Sequence, residues 1–151
     1  TRTGHDRSLS LDLLRSLTPE NQLISFNRSA PMYVDIGLNN GADTSSYLQL
    51  GWSVVAIDAY QPWIEKAKEK FSLEISQGRL LLWNVGISSN NEGGKLPLYF
   101  SHPGSVWTSF VKSKACPRET PCSQLDIDVV RCESIIQVIN APVRIMKIDI
   151  E

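Results

Sequence analysis

The sequence has neither a strong net charge nor a long apolar run. Its 15 basic and 16 acidic residues leave a formal net charge of −1, so it lacks the positive field that draws proteins to nucleic acid. No apolar run approaches the roughly 18 residues of a membrane-spanning helix. Three cysteines and two histidines are present, but their spacing is not that of a zinc site. We therefore expect no nucleic-acid partner, no membrane segment and no bound metal.

The length and composition fit one globular domain. A chain of 151 residues, 42% of them hydrophobic, is long enough to bury a core. We predict a helical or irregular lead-in over residues 1–30 and the domain itself over residues 31–151. The first predicted elements of the domain are strands at 33–36, 52–58 and 79–83 and helices at 42–50 and 62–72. Because strands and helices alternate, this order favours a parallel sheet.

The second half of the domain is less regular. The predicted elements are a turn at 90–94, a strand at 96–100, a loop at 102–123, a strand at 125–130, a helix at 133–140 and a final strand at 143–151. The turn and the strand after it suggest a hairpin appended after the third strand. The long loop is of a kind that is often functional inside a compact domain.

The most informative segment is residues 33–44, where an apolar strand enters a helix through a glycine-containing turn. Gly37 and Gly41 predict a backbone that passes close to another group, because glycine lacks a Cβ and tolerates positive φ. Such a turn is expected to present free backbone N–H groups to a ligand. The dinucleotide pattern G-x-G-x-x-G is missing, and Asp35 at the strand end would repel a pyrophosphate. An acidic residue there suits a ligand with an ammonium group, such as the methionine end of S-adenosyl-L-methionine.

A second acidic residue, Asp58, ends the second predicted strand. It follows Gly37 at the roughly 20-residue offset at which a carboxylate meets ribose hydroxyls in nucleotide-binding βαβ units. One carboxylate can accept both hydroxyl hydrogens of a cis-diol. A turn or helix-capping aspartate is the alternative, since Pro62 opens a helix shortly afterwards. The spacing favours the ribose interpretation.

Two separated segments resemble one protein family. VDIGLNNG at residues 34–41, with Thr44, resembles the first motif of FkbM-type S-adenosylmethionine-dependent methyltransferases. The last segment, residues 143–151, resembles the family's Lys-x-Asp-x-Glu-Gly motif and ends before its glycine. Between them, WTSF at residues 107–110 is similar to a serine-containing stretch that the family places near its active site. The chain departs from the family where Asp58 replaces the usual Glu, and where Cys132-Glu133 replaces the Leu-Asp that usually starts the last helix.

The resemblance implies a class I methyltransferase domain, with a Rossmann-like, doubly wound and mostly parallel sheet. It implies transfer of the S-adenosylmethionine methyl group to a hydroxyl of a small molecule or glycan. The residues expected to bind this cofactor are Asp35, Gly37, Asn39, Gly41, Thr44, Asp58 and Asn84. Asn84 would meet the adenine, although as a turn former it needs no ligand. Asp149 and Glu151 share one side of the last strand, and either is a candidate general base.

Two other classes of protein are weighed against the methyltransferase. A nicotinamide-dependent oxidoreductase has the same early strand and helix order, and it would bind NAD. A non-catalytic nucleotide-binding module would bind cofactor without turnover, although the intact Asp35, Gly37, Gly41 and Asp58 argue against loss of a site. We further expect that the domain is C-terminally truncated at Glu151, and that these 151 residues are inactive and prone to aggregate through an uncovered sheet edge.

Two features bear on the cellular compartment. The cysteines are interpreted as small, partly buried thiols, with a Cys116–Cys122 disulfide as the alternative in a secretory protein. Asn27-Arg28-Ser29 is a formal N-glycosylation sequon. Neither feature fixes the compartment from the sequence.

Overall fold

The computed structural model describes residues 4–89, 94–102, 108–117 and 121–150, with side chains described from Ser10 onward. The helices are α1 (Gly4–Ser16), α2 (Glu20–Ser25), α3 (Ala42–Gln49), α4 (Gln61–Lys70), α5 (Ser72–Ser76), α6 (Lys112–Ala115) and α7 (Cys132–Ile139). The strands are β1 (Met32–Ile36), β2 (Ser53–Ile57), β3 (Leu80–Trp83), β4 (Gly86–Ile87), β5 (Lys95–Phe100), β6 (Thr108–Ser109), β7 (Ser123–Val130) and β8 (Ile145–Ile148). None of the described helices has the length and apolar character needed to cross a membrane.

A four-stranded parallel sheet forms the centre of the molecule. Its strand order is β3-β2-β1-β8, and every neighbouring pair is parallel. The predicted α/β class with a parallel sheet is therefore confirmed. β1 and β2 are buried along their whole length, as expected for parallel strands that are covered on both faces. The chain builds outward from β1 to β3 and then returns to the other side of β1 with β8, so the strand order reverses between β1 and β8.

Helices cover both faces of this sheet. On one face, Val34 and Val55 pack in a core with Leu14 of α1 and Ile135 of α7. On the other face, the alternate residues of the same strands pack against α3 and α4; this second core includes Tyr33, Val54, Ala56, Leu48 and Ile64. The alternation follows from the two-residue period of a strand, which sends successive side chains to opposite faces.

A second four-stranded sheet, of order β4-β7-β5-β6, stands beside the first. β5 confirms the strand predicted at 96–100. Among the described residues it pairs with β6 and β7, both antiparallel, so the hairpin expected after the third strand does not form across the turn at 90–94. Leu98 of β5 lies opposite Leu125 of β7, and Leu96 of β5 lies opposite Ile127 of β7. Leu98 and Ile127 belong to one apolar cluster with Tyr60. Burial of that cluster explains the pairing. The predicted turn lies largely outside the described residues.

Other boundaries also differ from the prediction. The lead-in, predicted as helical or irregular, contains the helices α1 and α2, whereas the loop predicted at 102–123 contains β6 and α6. The final strand is confined to Ile145–Ile148. Cys116 and Cys122 form a disulfide, which corrects the expectation of free thiols there, since their Cα atoms lie 5.6 Å apart. Cys132 is free and half-buried, and burial raises its pKa.

The outer edge of β8 is apolar and exposed in the part of the chain that the structure describes. Ile145, Ile148 and Ile150 are 41%, 60% and 48% exposed, and unpaired strand edges associate readily. We expect Ile148→Lys to lower the associated fraction in sedimentation velocity at rising protein concentration. Leu73→Lys on α5 is the matched control, because Leu73 is 62% exposed away from this edge. An equal effect of the two substitutions would contradict association through β8.

Candidate functional site

A cleft of about 260 Å³ lies at the carboxyl ends of the parallel strands. The β1 and β2 ends supply Ile36, Gly37, Asn39, Ile57, Asp58 and Ala59; Asp149 and Ile150 follow β8. The remaining wall is Trp63, Val85, Gly86, Ile87, Leu98, Thr108 and Phe110. Ligands of open α/β sheets bind at this end, where the strand order reverses. The cleft is therefore the candidate site.

Gly37 joins the end of β1 to the end of β8. Its φ is +93°, and a Cβ built on it would lie 2.1 Å from the backbone oxygen of Asp149. The Asp149 N–H donates a 2.9 Å hydrogen bond to the Ile36 carbonyl. The predicted close approach at this glycine is confirmed, and the group that approaches is the backbone of β8.

Four backbone N–H groups of the turn, those of residues 37–39 and 41, are bonded within the protein itself. Gly37 and Leu38 both donate to the Ile57 carbonyl, at 2.9 and 3.1 Å. Gly41 donates to Leu38, and the Asn39 N–H donates to Asp58 Oδ2 at 3.0 Å. The expectation that these N–H groups are free for a ligand is wrong. These four groups are consequently not available to hold an anion, since each N–H carries one hydrogen.

Asp58 lines the cleft and also stabilises the glycine-containing turn after β1. Its Oδ2 accepts the Asn39 N–H, and its Oδ1 accepts the Tyr60 N–H at 2.9 Å. Burial raises the pKa of the Asp58 carboxyl, while these two hydrogen bonds oppose the rise. Each carboxylate oxygen has a second lone pair. The turn interpretation and the ligand interpretation are thus compatible.

Asp35 and Thr44 do not line the cleft, although both were predicted to bind the cofactor. Both are fully buried, and the Thr44 hydroxyl donates to Asp35 Oδ2 at 2.8 Å. Lys147 Nζ lies 3.1 Å from Asp35 Oδ1 and 2.8 Å from Asp43 Oδ2. The strand alternation places Asp35 on the same face as Tyr33, beneath α3, rather than at the strand tip. Asp35, Thr44 and Lys147 therefore link β1, α3 and β8 to one another instead of lining the cleft.

The charges of Asp35 and Lys147 shift each other's pKa. Burial raises the pKa of the Asp35 carboxyl, although the Thr44 hydrogen bond and the Lys147 charge oppose the rise. Burial by itself lowers the pKa of Lys147, but its hydrogen bond to Asp43 and the charge of Asp35 outweigh that effect and raise it. Lys147 therefore stays protonated and ties β8 to both β1 and α3.

Gly41 and Asn84 also lie outside the lining of the cleft. Gly41 precedes α3 with φ +80°, and a Cβ there would be 3.0 Å from the Phe71 ring. The Asn84 side-chain amide donates to the carbonyls of Asp58 and Ala59, at 2.9 and 3.0 Å. The Asn84 side chain therefore stabilises the turn after β2, in agreement with the alternative interpretation of Asn84 as a turn former.

Of the two candidate general bases, Asp149 and Glu151, only Asp149 falls within the described residues. Asp149 is exposed and lines the cleft. Glu151 lies outside the described residues, as does Trp107 of the serine-containing stretch, whereas Thr108 and Phe110 of that stretch line the cleft.

Sequence reasoning missed Lys147 and most of the apolar wall. Only the strand register, which sets Asp35 opposite Lys147, brings that pair together. Thr108 and Phe110 lie in the stretch that the resemblance places near the active site, but the wall residues from α4, β4 and β5 were not indicated by the sequence. The alternation of Leu96, Leu98 and Phe100 was the available signal.

The charged side chains among the described residues of the cleft are Asp58 and Asp149, and both are acidic. No group of three described histidine, cysteine or acidic side chains is placed to hold a metal ion. The cleft therefore combines an acidic rim with apolar walls, which suits a ligand with a positive charge and a flat apolar part.

No protein-family model matches the chain, and no curated protein or solved structure is detectably similar to it. The FkbM resemblance thus stays a prediction, and function has to be argued from the geometry of the cleft.

Proposed function

We propose that this protein is an S-adenosylmethionine-dependent methyltransferase with a Rossmann-like class I fold. In this proposal it transfers the methyl group to a hydroxyl oxygen of a small molecule or glycan. The observation that carries the proposal is the Asp58 carboxylate, which follows β2 directly and lines a cleft whose charged described side chains are acidic.

The chemistry of the cleft fits this cofactor. A ribose diol needs a carboxylate with accepting capacity, which Asp58 retains. An adenine needs flat apolar surfaces, for which Ile57, Val85 and Phe110 are candidates. The methionine end carries an ammonium beside a sulfonium, and the Asp149 carboxylate would attract these positive charges.

The same features disfavour a nicotinamide cofactor. A pyrophosphate carries negative charges and is held by free N–H groups or by cations. The N–H groups of Gly37, Leu38 and Asn39 are already bonded within the protein, and Lys147 is paired with two aspartates. Acidic side chains on the rim would repel the phosphates. The oxidoreductase alternative has less support for these reasons.

The residues of the chain would act mainly by positioning. Bound S-adenosylmethionine supplies an electrophilic methyl group on a sulfonium. Asp58 would orient the ribose, and the apolar walls would exclude water from the reacting groups. The proton of the acceptor hydroxyl would pass to Asp149 or to Glu151, the two candidate bases. A direct displacement at carbon depends chiefly on holding the two reactants close and in line.

The Asp58 contact can be tested with a matched pair of ligands, S-adenosylhomocysteine and its 2′-deoxy analogue. The wild-type protein is expected to bind the deoxy analogue about tenfold more weakly, because one hydrogen bond to a charged group contributes about 1.4 kcal/mol. Asp58→Asn keeps one oxygen for its turn and is expected to discriminate less than about threefold. Isothermal titration calorimetry at neutral pH measures both ratios.

Asp126→Asn is the control, because Asp126 is an exposed carboxylate of β7 outside the cleft. It should keep the wild-type ratio. Since burial raises the pKa of Asp58, the ratio should also decline as the pH falls through that raised pKa. If Asp58→Asn discriminates as well as the wild type while both are folded, Asp58 does not bind the ribose.

A further inference from the structure

Asn27 lies on the surface between α2 and β1, in the only stretch of the sequence where Asn-x-Ser/Thr occurs without proline in the middle. The side chains of Asn27 and Ser29 are both exposed. Asn27 Oδ1 accepts the Ser29 N–H at 3.0 Å, which forms a short turn over the sequon. A sequon on an exposed turn can carry a bulky polar group without disturbing the core.

The backbone of Asn27 fixes this turn at the amino end of the parallel sheet. Its N–H donates to the Gly78 carbonyl at 2.8 Å, shortly before β3. Its carbonyl accepts the hydroxyl of Ser53, the first residue of β2, at 2.6 Å. The candidate cleft lies at the carboxyl ends of the same strands, so a glycan on Asn27 would leave the cleft open.

The Cys116–Cys122 disulfide is an independent observation that points to the same compartment. Disulfides persist in oxidising environments such as the lumen of the secretory pathway and are rare in the cytosol. N-linked glycans are attached in that lumen. An exposed sequon and a disulfide on one chain are therefore expected together in a protein that enters this compartment.

We propose that Asn27 carries an N-linked glycan, attached in the oxidising compartment where Cys116 and Cys122 form their disulfide. In the transfer, Asn27 Nδ2 forms a bond to the anomeric carbon of a lipid diphosphate-linked oligosaccharide. The bond from that carbon to the diphosphate oxygen breaks, the amide loses one proton, and the lipid diphosphate leaves. The cysteines pass two electrons and two protons to the disulfide of an exchange partner, which is reduced. This inference is independent of the proposed methyl transfer.

The direct test is mass spectrometry of the protein isolated from its own cells. Treatment with a peptide N-glycosidase in heavy-oxygen water should remove a glycan and convert Asn27 to a labelled aspartate. Alkylation without reductant should label Cys132 and spare Cys116 and Cys122. An endogenous protein with an unmodified Asn27 overturns the proposal.

Variants expressed through the secretory pathway of cultured eukaryotic cells give the second test. Ser29→Ala should abolish the glycosidase-sensitive mass, whereas Ser29→Thr keeps the sequon and should retain it. The Ser29 N–H that bonds Asn27 belongs to the backbone and is preserved in both variants. A glycosidase-sensitive mass that persists in Ser29→Ala would overturn the assignment to Asn27.

Discussion

Gly37→Ala is expected to lower the free energy of unfolding by about 3 kcal/mol or more. Two effects combine. The φ of +93° is unfavourable for any residue with a Cβ, and the new Cβ would lie 2.1 Å from the Asp149 backbone oxygen. No side-chain rotation relieves a clash with a backbone atom, so the β1 turn and the end of β8 have to separate. Chemical denaturation monitored by tryptophan fluorescence measures the loss.

Gly51→Ala separates these two effects. Gly51 has a similar φ of +83°, but a Cβ there meets nothing within 4 Å. This variant bears only the conformational penalty, about 1 kcal/mol. Equal losses in the two variants would show that Gly37 does not hold the β1 turn against β8.

Lys147→Met is expected to destabilise the protein by about 3 kcal/mol at neutral pH, because it leaves the buried Asp35 carboxylate without its cation. Asp35 is fully buried and 3.1 Å from Lys147 Nζ. Lys68→Met is the control, since its 3.2 Å pair with Glu65 is 55% exposed on both sides. That loss should stay below about 1 kcal/mol.

The pH dependence has a definite sign. Burial raises the pKa of Asp35 in the folded state, so the folded protein binds this proton more readily than the unfolded chain does. Stability therefore falls as the pH rises from the usual carboxyl pKa to the raised one. Without Lys147 the Asp35 pKa rises further, so the variant keeps losing stability after the wild type has levelled off. The gap between wild type and variant should therefore widen between the raised pKa of the wild type and the higher pKa of the variant.

At alkaline pH the change in stability comes from Lys147 instead of Asp35. The pKa of Lys147 is raised in the folded state, so its stabilisation is complete below the usual lysine pKa and is lost as the pH rises through the raised value. The gap between wild type and Lys147→Met should close there. A double variant, Asp35→Asn with Lys147→Met, should recover part of the loss at neutral pH. A gap that is independent of pH would contradict the buried pair.

The sequence indicates the frame of the site because local patterns determine it. Buried strands followed by helices predict the parallel sheet, and the glycine turn predicts the close approach at Gly37. Because Asp58 ends a predicted strand, it is expected at the carboxyl end of the sheet, where the structure places it. Each of these inferences needs only neighbouring residues and the rule that parallel strands end at one edge of the sheet.

The supporting contacts depend on register and are not readable locally. Asp35 looks like a ligand residue at a strand end, but its pairing with Lys147 on β8 places it under α3. The turn amides look free, but β2 supplies the Ile57 carbonyl and Asp58 to occupy them. The second sheet was missed because β5 finds its partners in β6 and β7, further along the chain.

The most direct test of the central claim is calorimetric titration of the wild-type protein with S-adenosylhomocysteine and, separately, with NAD. The acidic rim and the occupied turn amides predict binding of S-adenosylhomocysteine with a Kd in the micromolar range, about −8 kcal/mol, and far weaker binding of NAD. Binding of NAD in preference to S-adenosylhomocysteine, or of neither by a folded protein, would contradict the proposed cofactor.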